Sequence, residues 1–516
     1  MTRTAKRGPL AVAAADDTGP GYGTGPVDGT APVDPKRWLA LGVIAIAQLM
    51  VVLDASIVNI ALPSAQRDLG ISDADRQWVI TAYTLAFGGL LLLGGRIADF
   101  TGRKRTFIIG LLGFAGASAL GGFASTAGLL FAARALQGAF GALLAPAALS
   151  LITVTFTEPK ERARAFGVFG AIAGGGAAIG LILGGVLTEY ASWRWCLGVN
   201  VPIAVLTAII AVPLVKESRA HGDTRYDVPG AVLATAGLVS LVYGFTEAAK
   251  PNVGWSAPRT LGFLAASVIL LIAFVVLESR RRNPLLPLRV ALDRNRGGSY
   301  LSFLLVGAGL FAMFLFLTFY LQAVLGYSAL RAGFAFLPFS AGIILTAGVV
   351  SQLMPRIGPK PLMVGGLAAA TLGMLYLIQI TPTTSYVTHV LPAEIVMSIG
   401  LAAVFIPASS TALVGVSPHD AGVASALLNT CQQIGGSLGT ALLNTLYASA
   451  VTGYIASHAK TPRQLQEVMP DAYVHGYHVA FFWGAVMLAT SLAVVIFFIN
   501  ARKDDIPAEP GLAAAA

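Results

Sequence analysis

The chain has 516 residues, 56% of them hydrophobic and 11% charged, with a formal net charge of +9. An ordinary soluble domain carries roughly a quarter charged residues, so most of this surface cannot face water, and a soluble enzyme is excluded. The basic residues are split into short groups between apolar runs instead of forming one stripe, a pattern of membrane topology and not of a nucleic-acid interface.

Residues 1–37 are rich in Gly, Ala, Pro and Thr without the apolar core of a signal peptide, and they read as a disordered cytoplasmic tail; 501–516 have the same character. Between them lie the apolar runs. A spanning helix needs about 20 mainly apolar residues, because ~30 Å of hydrocarbon is crossed at ~1.5 Å per residue. Fourteen segments qualify: 39–62, 78–98, 106–124, 127–151, 165–187, 195–215, 228–247, 259–279, 299–322, 332–354, 361–380, 388–412, 422–448 and 479–500. Most of the 34 Lys and Arg fall in loops on the side of the N-terminus, which places both termini in the cytoplasm.

The basic stretch "RRRNPLLPLRVALDRNR" at 280–296 stands between the eighth and ninth segments. It divides the chain into a six-helix bundle at 38–215, an inserted hairpin at 216–280, a cytoplasmic linker at 281–298 and a second bundle at 299–500. "DFTGRKRTF" after the second segment and "RIGPKPLM" after the tenth both make short loops through Gly and a base, an internal echo of two repeated halves.

The first segment carries "VVLDASIVNIALP", with Asp54 about 25 Å along a helix entered near Arg37. Residues 95–105, "GRIADFTGRKR", resemble the G-x-L-A-D-R-x-G-R-K loop of the major facilitator superfamily, at the expected place between the second and third spans. That resemblance makes Gly95, Asp99, Gly102, Arg103 and Lys104 a conformational switch loop, with Asp99 docking against a neighbouring helix end. Phe100 stands where the family's usual base would be.

"RALQGAFGALLAP" at 134–146 looks like the R-x-x-x-G segment of the superfamily's antiporters; Arg134, Gln137, Gly138 and Gly141 share one helix face. An arginine near mid-membrane costs ~3 kcal/mol or more unless it meets a partner or water. The fifth segment, "GAIAGGGAAIGLILGGVL", spaces Gly176, Gly180 and Gly184 by four and adds Gly185, a pattern for close helix approach; Leu181 replaces the proline of the antiporter motif. With "EYASWRWCLGVNVPI" at 189–203, "LRAGFAFLP" at 330–338 and "AGVASALLNTCQQIGGSLGTALL" at 421–443, the chain from about 38 to 500 resembles the fourteen-span drug:proton antiporters of the superfamily.

The implied architecture is an all-α integral membrane protein with the major facilitator fold: two six-helix bundles plus an inserted two-helix hairpin. Asp54 and Arg134 lie at similar depth on antiparallel spans, which the resemblance makes neighbours. Burial draws a carboxylate toward its protonated form and a nearby guanidinium draws it toward the ionised one, so Asp54 is expected to carry the coupling proton and Arg134 to tune it. A cavity among the first, fourth, ninth and twelfth spans is implied by the same resemblance, with Gln137, Tyr83, Phe311, Phe314, Tyr320, Glu394, Asn429 and Gln433 as its side chains.

Cys196 and Cys431 are far apart in apolar runs and form no redox or metal motif. His475 and His478 read as solvated loop residues, and neither a metal nor a cofactor beyond the proton is expected. No G-x-x-x-x-G-K-[ST] loop occurs, so coupling must come from an ion gradient. The expected function is proton-coupled efflux of hydrophobic, often cationic, drugs or antibiotics by a monomer in a bacterial plasma membrane. A dedicated exporter of one endogenous metabolite or lipid, and a non-transporting scaffold or sensor, are the alternatives.

Overall fold

The computed structural model describes residues 35–219, 227–250, 253–281, 284–416 and 421–503. The expected tails at 1–37 and 501–516 lie outside these residues except for 35–37 and 501–503, and so does 417–420 in the "SPHDA" loop.

In the first half, α1 is Arg37–Leu69, α2 Trp78–Thr101, α3 Arg103–Gly122, α4 Ala127–Thr155, α5 Pro159–Tyr190 and α6 Trp195–Leu214. The hairpin is α7 Val228–Ala248 and α8 Pro258–Arg280. In the second half, α9 is Arg294–Val324, α10 Ala329–Ile357, α11 Pro359–Gln379, α12 Tyr386–Leu413, α13 Ala421–His458 and α14 Pro462–Phe498. Thirteen of these helices are long and apolar enough among the described residues to cross a membrane. With the 38-residue α13, which is not among those thirteen, the long helices number fourteen, as expected.

Two joints make the internal echo concrete. Between α2 and α3 the chain turns on Gly102 alone (φ +121°), and between α10 and α11 on Gly358 alone (φ +89°). Each amide still closes the preceding helix, Gly102 N–H on Ala98 and Gly358 N–H on Met354. A one-residue joint at positive φ is open to glycine without strain, which is why both loops are built on one.

Several helices overrun the apolar segments. α1 continues two turns past Pro63 and ends at Gly70 (φ +61°), with Ile71 N–H returning to the Gln66 carbonyl. α14 begins at Pro462 and not near 479, because Thr461 caps it by accepting from Gln464 N–H and Pro462 fits the first turn. At ~1.5 Å per residue, α13 and α14 are each about 55 Å long, far more than the hydrocarbon requires. His475 and His478 therefore lie on a helix and not in a loop: His478 Nε2 bonds the Ile380 carbonyl at 2.7 Å, and His475 lies 5.1 Å from the Tyr454 ring.

Within the first half α4 packs on α2 and α3, and α5 on α1; within the second α13 packs on α9, and α12 on α10 and α11. The halves meet through α2 against α13 and α5 against α10. α7 lies over that seam, touching both α2 and α13, while α8 packs on α7 and leaves Val268, Ile269, Ile272 and Val275 exposed. Exposed aliphatic side chains of this kind are what lipid requires of an outer helix.

With an even number of spans, both chain ends emerge on one side, here the terminal end. Hydrogen bonds between the halves gather toward the opposite, distal end. Asn444 Nδ2 donates to the Asp73 carbonyl (2.8 Å), Gln322 Nε2 to the Ile60 carbonyl (3.0 Å), and Leu330 N–H to Glu189 Oε2 (3.0 Å). The hairpin joins both halves there, with Gln77 Nε2 donating to Thr246 Oγ1 (2.8 Å) and Thr445 Oγ1 to the Phe245 carbonyl (2.8 Å).

Candidate functional site

Asp54, on α1, is fully buried and meets Arg134 of α4. Arg134 Nη1 donates to Asp54 Oδ2 at 2.5 Å. The other carboxylate oxygen, Oδ1, accepts from Gln137 Nε2 at 2.9 Å and from Asn200 Nδ2 at 2.8 Å. Three donors thus converge on one carboxylate. Arg134 can only donate, and its Nη1 reaches Gln137 Oε1 at 2.8 Å, so the Gln137 amide nitrogen must be the end that faces Asp54 and Ser118 Oγ (2.7 Å). The set fits an ionised carboxylate, which is an acceptor at every lone pair.

Local structure explains each placement. The i, i+3 spacing puts Arg134 and Gln137 on one face of α4, as the sequence indicates. Asn200 comes from α6, just beyond a short helical turn at Trp195–Gly198. That turn is pinned to the distal end of α1 by Asp68, which accepts from Trp193 Nε1 (3.0 Å) and from Arg194 Nη1. The "SWRW" stretch therefore fixes the level at which Asn200 reaches Asp54.

Arg134 has further holds, all on α2: its Nε donates to the Val79 carbonyl (2.9 Å), and its guanidinium lies 4.5 Å from the centre of the Tyr83 ring. Close helix packing makes this possible. A Cβ on Gly138 would fall 2.3 Å from the Tyr83 carbonyl, so only glycine lets α4 approach α2 this near.

The antiporter-like glycines of α5 serve a similar approach to α1. Added Cβ atoms at Gly176, Gly180 and Gly184 would meet Val52 at 3.0 Å, Ser56 Oγ at 2.0 Å and the Ile57 carbonyl at 2.9 Å. Gly185 faces the other half, 2.6 Å from Leu330 Cα by the same construction. Leu181, standing where the motif has proline, is buried, and its carbonyl approaches Gly333 of α10.

In the switch loop, Asp99 Oδ1 accepts from Arg103 Nη2 (2.8 Å) and Nε (3.1 Å). Arg103 is the first residue of α3, and the same helix end is also held by a residue that sequence reasoning passed over, Glu217 beyond α6. Its carboxylate accepts from the backbone N–H groups of Lys104 and Arg105, both at 3.1 Å, capping α3. Lys104 Nζ in turn donates to the Val212 carbonyl (2.6 Å). A Cβ on Gly102 would lie 2.8 Å from the Glu217 carboxylate, whereas one on Gly95 would sit 3.5 Å from Pro146.

The expected cavity side chains are dispersed. Gln137 and Tyr83 belong to the buried Asp54 network. Tyr320 is buried in the second half, donating to the Thr381 carbonyl at 2.8 Å; Phe314 packs on Phe336 and Phe339. Phe311 lies on Gly436, and Gln433 faces Gly88 across the seam between halves. Asn429 is half-buried on α13. Glu394 is buried near the start of α12, with Oε2 3.3 Å from Tyr386 Oη, whose single proton goes to the Ala335 carbonyl at 2.7 Å.

Residues 44–440 match the profile of the Major Facilitator Superfamily. The chain belongs to that superfamily. It is a multi-pass membrane transporter, and similar proteins share nearly its whole length. It is 51% identical over 476 residues to the puromycin resistance protein of Streptomyces alboniger, covering 91% of this chain and 93% of that protein. Identity is 41% over 440 residues to the cephamycin export protein of Amycolatopsis lactamdurans, with 84% and 88% covered. Among solved structures, a bacterial homologue of the human lysosomal transporter Spinster superposes with a TM-score of 0.65 at 16% identity, covering 92% of this transporter and 99% of that chain, a likeness of fold.

Proposed function

We propose that this transporter exports hydrophobic, often cationic, drugs or antibiotics by alternating access, in exchange for protons carried on Asp54. The observation that carries the reading is the fully buried Asp54 carboxylate, held by Arg134, Gln137 and Asn200. The resistance and export proteins it resembles support the substrate class. Most Lys and Arg fall on the terminal side, which puts both termini in the cytoplasm of a bacterial cell and the distal end outside. The interhalf hydrogen bonds near the distal end then make this a conformation closed to the outside.

The network supplies a mechanism. Three donors on the carboxylate favour its ionised form, so withdrawal of any one of them promotes protonation of Asp54. Once Asp54 is neutral, Arg134 loses its counter-charge but keeps Val79, Gln137 and the Tyr83 ring. Its remaining partners outside α4 are on α2, the helix that packs against α13 of the other half. Protonation thus transfers the hold of a buried cation from α1 toward the seam between the halves. No cofactor is needed besides the proton, and one polypeptide holds the whole network.

The test is drug-evoked proton movement in reconstituted vesicles. Wild type should move protons when drug is added, and Asp54→Asn should insert and fold yet move none; full proton-coupled export by Asp54→Asn overturns the assignment. The curated relatives named after one compound each, puromycin and cephamycin, favour a second reading, a dedicated exporter for one natural product. A substrate panel in cells lacking other pumps separates it from a broad drug exporter. A non-transporting scaffold or sensor would give no drug-evoked flux at all.

A further inference from the structure

Arg76 lies in the turn between α1 and α2, on the first half, yet its guanidinium is packed against rings of the second. It is 2% exposed and lies 4.1 Å from the centre of the Phe319 ring on α9 and 4.6 Å from that of Tyr447 on α13. Its Nε donates to Asn444 Oδ1 at 3.2 Å, and Nη1 is 3.5 Å from the carboxylate of Asp73. Nη2 is buried with no hydrogen-bond partner among the described residues. A guanidinium taken so far out of water is held by two ring faces beside one hydrogen bond and one long ion pair.

Tyr447 has ring partners of its own, stacking on Tyr477 at 5.1 Å and on Phe316 at 5.4 Å, all within the second half. The Tyr447 wall of the basin is therefore held without Arg76. Exchange by alternating access, on which this inference rests, requires the contacts between halves near the distal end to break. Arg76 must then leave with α1 and α2, and an electron-rich aromatic basin is uncovered on the side of release.

We infer that the basin of Phe319 and Tyr447 is a binding site for weakly hydrated organic cations, open when the distal end is open, and that Arg76 is the tethered cation that displaces the ligand as the halves close. The chemistry selects guanidinium and quaternary ammonium groups over strongly hydrated inorganic cations, because the rings offer no oxygen cage to replace a hydration shell. Tethering makes Arg76 an effective competitor: a group on a short loop acts at millimolar or higher effective concentration. Closing the distal end would thus empty the site outward and oppose reloading from outside.

The test uses benzyltrimethylammonium as the probe. Equilibrium binding to the purified, full-length protein should be weak in wild type, at least tenfold tighter in Arg76→Gln, and intermediate in Arg76→Lys. The gain should vanish in Arg76→Gln/Tyr447→Leu. Applied outside vesicles exporting a neutral hydrophobic dye, the same cation should inhibit Arg76→Gln at a concentration at least tenfold lower than wild type. If Arg76→Gln does not fold, Phe319→Leu replaces it, with weaker probe binding than wild type as the expected result. Equal binding by wild type and Arg76→Gln, or a gain that survives Tyr447→Leu, overturns the site, since a purely structural pin alters export rate without creating cation affinity. Export without the binding difference refutes this inference alone; the binding difference without export refutes the efflux reading and leaves the site standing.

Discussion

Replacing Arg134 by methionine removes the sole cationic partner of Asp54 among the described residues and keeps only the length of the arginine's aliphatic stem. Asp54 Oδ1 keeps its two amide donors, but Oδ2 loses the 2.5 Å contact and is left buried. The Val79 carbonyl and Gln137 Oε1 lose their bonds to the guanidinium as well. Breaking a buried pair in this way costs about 3–5 kcal/mol. The variant should therefore melt well below wild type, and its proton-coupled export should fall with the loss of the partner that holds Asp54 Oδ2. Thermal unfolding and dye efflux check both halves of the argument, with Arg134→Lys expected to lie between. A variant that keeps wild-type export and melts at the wild-type temperature would refute the reasoning.

Glu217→Ala removes the acceptor for two amides at the start of α3, at a cost of about 1–2 kcal/mol. Hydrogen exchange at the Lys104 and Arg105 amides should quicken; unchanged protection there would show that the cap does not hold the loop. Gly184→Ala drives a methyl to within 2.9 Å of the Ile57 carbonyl, so α1 and α5 must part, at about 1–3 kcal/mol. Because Ile57 is one turn from Asp54, both melting temperature and proton coupling should fall, and a variant with wild-type values would count against the close approach.

The division into spans was legible because hydrocarbon demands about twenty apolar residues in a row, and the two halves showed through Gly102 and Gly358 because a one-residue joint leaves few other choices. The overrun of α14 was missed by hydropathy, since residues 462–478 are polar and lie beyond the apolar run. A local signal was present all the same in the Thr461–Pro462 cap. Asp54 and Arg134 could be paired from their similar depth together with the adjacency of their spans that the resemblance implies. Asn200 and Ser118 could not, because nothing in a single sequence tells which small polar residue in an apolar run faces a buried charge. Glu217 was hidden for the opposite reason: an exposed acid after a helix reads as solvated, and its role arises only when α6 is brought beside α3. The aromatic positions were the least legible, as rings that line a cavity and rings that fill a core have the same spacing.

The claim that Asp54 is the proton carrier is tested most directly by infrared difference spectroscopy on the purified transporter as drug is added. The account predicts a change in a protonated-carboxyl stretch in wild type, and its absence in Asp54→Asn. The same drug-induced band in Asp54→Asn, or drug binding to wild type with no carboxyl change at all, would contradict it.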